Sequence, residues 1–384
     1  MNEPVQYEVS VSRMSVIIIV AVCLLLAAVV VPAINKARLA SRRATSAKNL
    51  QQLSLSCDCF VVTTGHLPAG ARFDSGGTPT HGWYTRLLPY MASSQLWSRI
   101  DSEIPWKHPL NRHLFIGKFF CHEIPGVVPE YTADGFGTQH YLANPNLFYR
   151  NSATTFESLK SGISNCWLFG EATAPYAPLG YPFNWREIKY PLNTEGNYGG
   201  PWNGTQVAMA DGSIRYISDN VSQEIINSLR DSSASVAEEL KRKPSNKFPS
   251  GPVLKTSFFD LEPGRESAVA FRIVHDKHGV AETAWTWFKS KGPADPVDVG
   301  ALNQLADTYP TLRGLVTDTN LDSAVLPAIH RWQNLKVLSV REVHVTQREL
   351  ETLSSLQVFR YSATDAKEKA VQTALPHCEL HRRQ

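Results

Sequence analysis

The chain has 384 residues, 43% hydrophobic and 19% charged, enough apolar material for real cores and too little charge for a largely disordered polymer. Its formal net charge of +3 is too small to point to nucleic acid, and no nucleic-acid partner is expected. At ~100–200 residues per domain, the length leaves room for two modest globular domains beside an anchor.

Residues 1–13 read as a short cytoplasmic segment. From Met14 to Ile34 the chain runs MSVIIIVAVCLLLAAVVVPAI without a charge. About 20 apolar residues at ~1.5 Å rise each cover the ~30 Å hydrocarbon core of a bilayer, so 14–34 is expected to be a transmembrane helix whose partner is membrane lipid. The alternative is a cleaved signal peptide, whose apolar region is shorter and ends in a small-residue cleavage site. A retained anchor is favoured because Ala37, Ala40, Ala44, Ala47, Leu50 and Leu53 continue a helical spacing, predicting a helix over 35–62 that carries the membrane span into a soluble domain. The basic cluster Lys36, Arg38, Arg42, Arg43 and Lys48 lies where lipid headgroups would be. Only Arg13 precedes the span, so the positive-inside rule alone would put the following domains in the cytoplasm.

Six cysteines occur, at 23, 57, 59, 121, 166 and 378, and no spacing among them matches a zinc framework. Buried thiols are the simple reading. A disulfide between two of Cys57, Cys59, Cys121 and Cys166 stays open if the domain lies outside the cytoplasm.

Residues 63–222 are rich in Gly, Pro, Asn, Trp and Tyr with short apolar runs, the texture of a sheet with long loops. The clearest hairpin joins Val207–Ala210 to a return strand at Ile214–Tyr216 through Asp211-Gly212, a pair that supplies the positive φ a tight turn needs. From Asn220 to Leu240 the spacing of Val221, Ile225, Ile226, Leu229, Val236 and Leu240 is helical. KRKPSNKFPSGP at Lys241–Pro252 then reads as a linker, so 223–252 is assigned as helix and linker.

In the remaining 253–384 a repeat begins at Leu312, Leu335 and Leu356, steps of 23 and 21 residues. In-phase pairs Leu312/Leu315, Leu335/Leu338 and Leu356/Phe359, with Leu326/Ile329 and Leu350/Leu353 between them, predict a leucine-rich-repeat-like stack of one strand and one helical segment per unit. A degenerate unit is expected at Trp285–Phe288 with Ala301, Leu302 and Leu305 as its helix, and a further strand or cap at Val269–Val274. The concave strand face would present Arg313, Thr317, Ser339, Arg341 and Arg360 to a protein partner.

No nucleophile elbow, phosphate-binding loop, zinc helix or dinucleotide fingerprint occurs. His81, His108, His113, His122 and His140 are scattered through loops, and the adjacent Cys121-His122-Glu123 would point to opposite faces of an extended segment, so neither a metal nor any other cofactor is expected. Asp211-Gly212 lacks the alternating oxygens of a calcium loop and reads as a turn. The aromatics Trp83, Tyr84, Trp97, Trp106, Trp167, Trp185, Tyr190, Tyr198 and Trp202 read first as core; the rival reading is a sugar or peptide platform.

VPAINKARLASRRATSAKNLQQLSLS at Val31, GHLPAG at Gly65, HGWYTRLLPYM at His81, IPWKHPLNR at Ile104, ISNCWLFGE at Ile163 and ADGSIRYIS at Ala210 stand in one order. On these landmarks the stretch from Val11 to Ser222 resembles the planctomycete DUF1559 family, with its prepilin-type N-terminal helix and a His, nine residues, Asp-Gly motif. The resemblance implies a pilin-like helix-plus-antiparallel-sheet domain facing outward from the bacterial inner (cytoplasmic) membrane, against the charge count. Four positions depart from the pattern. Ser10 stands where glycine precedes the cleaved bond, Ser15 where the mature helix carries glutamate, and Pro201 at the motif histidine; Arg13 also replaces an aliphatic residue. A buried carboxylate in that helix needs a neighbouring subunit's amine as partner, and Ser15 offers none, so processing and self-assembly are not expected.

The expected fold class is therefore α+β: a long N-terminal transmembrane helix, a pilin-like domain over 35–222, and a small β/α leucine-rich-repeat-like domain. The expected function is a non-enzymatic, single-pass membrane protein with a structural, adhesive or protein-interaction role at the cell envelope. The alternative is an extracytoplasmic receptor or solute-binding module with an aromatic-lined site.

Overall fold

The computed structural model describes residues 13–91, 94–116, 121–128, 131–132, 135–229, 256–259, 269–275, 280–288 and 299–382. The segment 1–12 with Ser10, residues 230–240 of the helix expected to run from Asn220 to Leu240, and the linker Lys241–Pro252 lie outside the described residues.

Helix α1 (Arg13–Thr64) has 52 residues and continues through Pro32. At ~1.5 Å per residue it is about 80 Å long, far more than a bilayer requires. Among the described side chains of its first half none is buried: Leu24, Leu25, Leu26 and Val29 are 59–71% exposed. This part is long and apolar enough to cross a membrane. Packing begins at Ser46 and follows a helical stripe of Leu50, Leu53, Ser54, Cys57 and Phe60, all buried. The stripe of small residues read from the sequence starts earlier than the packing does. Ala37, Ala40 and Ala44 remain exposed because the sheet reaches the helix only beyond them.

The first module gathers short elements around this buried half-helix. A small hairpin of β1 (Ala71–Phe73) and β2 (Pro79–Gly82) leads into α2 (Trp83–Leu87), α3 (Ser94–Trp97) and α4 (Pro109–Arg112). β3 (Thr138–Gln139) pairs with β6 (Ala177–Pro178). The main sheet is antiparallel in the order β4 (Tyr141–Ala143), β5 (Trp167–Glu171), β7 (Gly204–Met209), β8 (Ile214–Ser218). All residues of β5 and β7 are buried, because α1 covers one face and the loops with α5 (Gln223–Ser228) cover the other. Asp211-Gly212 forms the expected turn, with Gly212 at φ 81° and Ala208 paired with Ile214.

The second module is one seven-stranded sheet in the order β9 (Thr256–Phe259), β10 (Val269–His275), β11 (Ala281–Phe288), β12 (Gly314–Val316), β13 (Val337–Glu342), β14 (Val358–Ser362), β15 (Glu379–Arg382). β9, β10 and β11 are antiparallel, and β11 through β15 are parallel. Leu315, Leu338, Phe359 and Leu380 stand side by side across β12–β15, steps of 23, 21 and 21 residues. Helices α6 (Val299–Thr308), α7 (Leu326–His330), α8 (Gln347–Glu351) and α9 (Asp365–Ala374) return the chain along one face, burying Leu302, Leu305, Ile329, Leu350 and Val371. Thr346 and Glu349 close a capping box that starts α8, satisfying two amides that the first turn leaves free.

The repeats read from the sequence thus each supply one parallel strand, and the earlier unit and the strand at Val269–Val274 are β11 and β10. β15 is an addition: CELHRR offers one large apolar residue, too weak a pattern to read as a strand. Leu338 is fully buried, so Leu338→Ala is expected to destabilise the chain by about 3 kcal/mol, seen as a lower urea midpoint with an unchanged slope.

Candidate functional site

The point where the stem enters the sheet is built around one carboxylate. Glu171, at the end of β5, is wholly buried and accepts four hydrogen bonds. Oε1 takes Ser46 Oγ from the helix at 2.5 Å and Gln206 Nε2 at 3.0 Å, and Oε2 takes the Gln206 amide at 2.7 Å and Trp202 Nε1 at 2.7 Å. Gln206 also donates to the helix carbonyl of Arg43 at 3.0 Å, so it ties β7 to α1 directly. Beside it, Tyr141 on β4 bridges Ser46 and the Glu123 carbonyl, and Asn49 reaches the same hydroxyl. Gly200 lets Trp202 approach: a Cβ there would stand 2.7 Å from Glu171 Oε2 and 2.8 Å from Trp202 Nε1. Burial pushes the Glu171 carboxyl up, and the bonds from Ser46, Gln206 and Trp202 pull it back only in part.

Two turns flank the strand that lies along α1. Pro201, at the histidine position, and Asp211-Gly212 stand at opposite ends of β7. Pro201 faces Lys36, Leu39, Ala40 and Arg43 across an open groove, and Gly212 and Ser213 face Ala47, Lys48 and Gln51. Asp211 is spent on the turn, accepting Ser213 N at 2.9 Å and Ser213 Oγ at 2.6 Å.

The aromatic residues fill the core. Trp83, Tyr84, Trp106, Trp167, Trp185, Tyr198 and Trp202 are all buried, and of the set only Tyr190 is largely exposed. Trp83 packs at 4.6 Å on Phe169, and Trp167 meets Tyr198 edge-on at 4.7 Å. They offer no open platform to a ligand. The loop histidines are mostly structural too. His122 Nδ1 lies 2.7 Å from the Thr138 carbonyl, and His140 stacks on Tyr176 and accepts from the Ile124 amide. Cys57, Cys121 and Cys166 are buried, and no disulfide joins cysteines among the described residues.

The strand face expected to meet a partner is only partly open. Thr317, Ser339 and Arg360 are buried, whereas Arg313 and Arg341 are exposed. The cover comes from the first module: Arg360 Nη1 donates to the Arg99 carbonyl at 2.9 Å, Arg99 pairs with Asp318 at 3.9 Å, and Arg112 on α4 meets Glu282 at 3.8 Å. Val274 and Val316 join the apolar core of the first module. The reason is simple: a sheet has two faces, the helices cover one, and its small and apolar opposite face is buried by α4 and its flanking loops. The spacing of leucines says which side chains point inward under the helices, not what covers the other face.

Removing the carboxylate strands buried donors from both sides of the stem joint, so Glu171→Ala is expected to cost about 3 kcal/mol or more, read as a drop in the denaturation midpoint. Acid should weaken the same module. Burial lowers His81 to about 4, with the Asp101 carbonyl opposing, and lowers His113 to about 3, with Arg99 adding to the effect. Their unfolded forms take protons near 6.5, before the folded ones do, so stability is full above that pH and falls as pH drops toward the folded values. At pH 5 the loss is about 2 kcal/mol for each. Glu171, raised instead, pulls the other way. Denaturant titrations at pH 7 and pH 5 check the sum, and His113→Gln should remove roughly half of the difference.

Residues 35–180 match the family model described as a protein of unknown function (DUF1559). No curated protein and no solved structure matches the chain. The matched segment runs from the foot of the exposed stem past Glu171, and it supports the DUF1559 family for the first module.

Proposed function

We propose that the chain is a non-enzymatic, single-pass protein of the bacterial cytoplasmic membrane, with a pilin-like stem and head outside the cytoplasm that carry a leucine-rich-repeat-like module. The observation that carries this reading is the division of α1: an exposed apolar half with no protein around it, continuous with a half whose buried face is locked to a sheet. A helix on a four-stranded antiparallel sheet is what the pilin-like resemblance implies, and in-register parallel strands at steps of 21–23 residues are what a leucine-rich repeat implies. The role is structural or interactive. A protein partner would engage the second module at its exposed residues, among them Arg313 and Arg341, since Thr317, Ser339 and Arg360 already face the head. Ser15 in place of a helix glutamate argues for a fixed anchor over a subunit of a filament.

The full chain is expected in carbonate-washed membranes, and a variant lacking residues 1–34 in the soluble fraction. Protease added to cells with a permeabilised outer layer should digest the second module. A mature N-terminus beyond Ile34, or full protection of the second module, would overturn the anchor or the topology respectively; recovery in sheared surface appendages would restore filament assembly.

A further inference from the structure

The contact between the modules contains a group of side chains that neither the family match nor the anchor explains. His108 caps the start of α4 in the first module. Glu379 and His381, two residues apart and so on the same side of β15, belong to the last strand of the second. Glu379 Oε1 lies 3.2 Å from His108 Nε2 and 3.0 Å from His381 Nε2, and the imidazoles meet edge to face with ring centres 4.9 Å apart. The one ligand atom that each residue offers lies within 4.8 Å of the other two.

We propose that His108, Glu379 and His381 form a binding site for a divalent transition ion of the zinc class, which staples the second module onto the head. The spacing supports it. Metal bonds of ~2.0–2.2 Å arranged tetrahedrally place donor atoms about 3.4 Å apart, close to the two nitrogen–oxygen separations already present. The third separation is within 4.8 Å, so loading requires the two rings to close by about 1.4 Å at most. Two imidazoles and one carboxylate suit zinc, cobalt, nickel or copper, while calcium and magnesium prefer an all-oxygen shell. The site is also accessible: the histidine side chains are 12% and 13% exposed, whereas Glu379 is 56% exposed and leaves the fourth position to water.

One contact opposes binding. His108 Nδ1 accepts a long bond, 3.3 Å, from the Leu110 amide. An ion on Nε2 moves the ring proton to Nδ1 and breaks that bond, so loading exchanges one weak cap for a metal–nitrogen bond while the proton stays on the ring. Because the ligands come from residues 271 positions apart, the ion would join parts of the chain that the linear sequence keeps distant.

The test is cobalt titration of the full-length chain in detergent after chelator stripping. One equivalent of Co²⁺ should bind with a dissociation constant below about 100 μM, giving visible absorption without a thiolate charge-transfer band, and zinc should displace it. His381→Ala and His108→Ala should each weaken binding at least tenfold, and zinc should raise the melting temperature of the wild type but not of either variant. His344→Ala, an exposed histidine beside Glu342, serves as control and should bind as the wild type does. Circular dichroism and melting without metal verify that the variants fold. Absence of saturable binding, a thiolate band, or unchanged affinity in a well-folded His381→Ala variant would overturn the site.

Discussion

The stem joint depends on a buried carboxylate. Glu171 sits where α1, β5 and β7 converge, and its four donors come from the helix, from β7 and from Trp202, two residues ahead of that strand. A charge or a carboxyl in that position is costly unless every lone pair is occupied, so the bonds that satisfy it also fix the distances between the three elements. Apolar packing by Leu50, Leu53 and Phe60 supplies much of the favourable energy at the joint, at roughly 1.5–3 kcal/mol for each buried side chain. Packing alone would tolerate some sliding of a helix along a sheet. The directional bonds to Ser46 and to the Arg43 carbonyl do not. A long stem bearing a rigid head is the mechanical consequence.

The second module is built on a different principle. Its leucines recur because each turn of the chain adds one parallel strand and one helical return, and each unit buries its apolar side against the next. The opposite face of that sheet would be free in an isolated stack, but here it becomes the seat of the head. Arg360, Asp318 and Glu282 turn toward Arg99 and Arg112, mixing charged contacts with the apolar contribution of Val274 and Val316. Helix α1, the first module and the parallel sheet of the second are therefore in continuous contact.

Much of this was legible in the residues. The uncharged run at Met14–Ile34, the Asp-Gly turn, the phase of Leu315, Leu338 and Phe359 and the burial of Leu50 and Leu53 all follow from local periodicity, where each side chain's neighbours lie within a few positions along the chain. The core role of the tryptophans was also readable. Less legible were Glu171, which in ISNCWLFGE looks like the polar end of a strand, and β15, whose polar residues gain their strand geometry from pairing with β14. The expected open face of the repeats failed for the same reason: nothing near Thr317 or Ser339 in the sequence announces the loop around Arg99 that covers them.

By itself the sequence determined the long apolar helix, the Asp-Gly turn and the spacing of the leucines that line β12–β14, because these rest on patterns with periods of 2, 3.6 and 21–23 residues. Only the tertiary structure decided which polar groups would meet. Glu171 with Ser46, Arg360 with Arg99, and His108 with Glu379 and His381 are pairings across 125, 261 and 271 residues of chain, and no local rule encodes which distant group will satisfy a buried or half-buried charge.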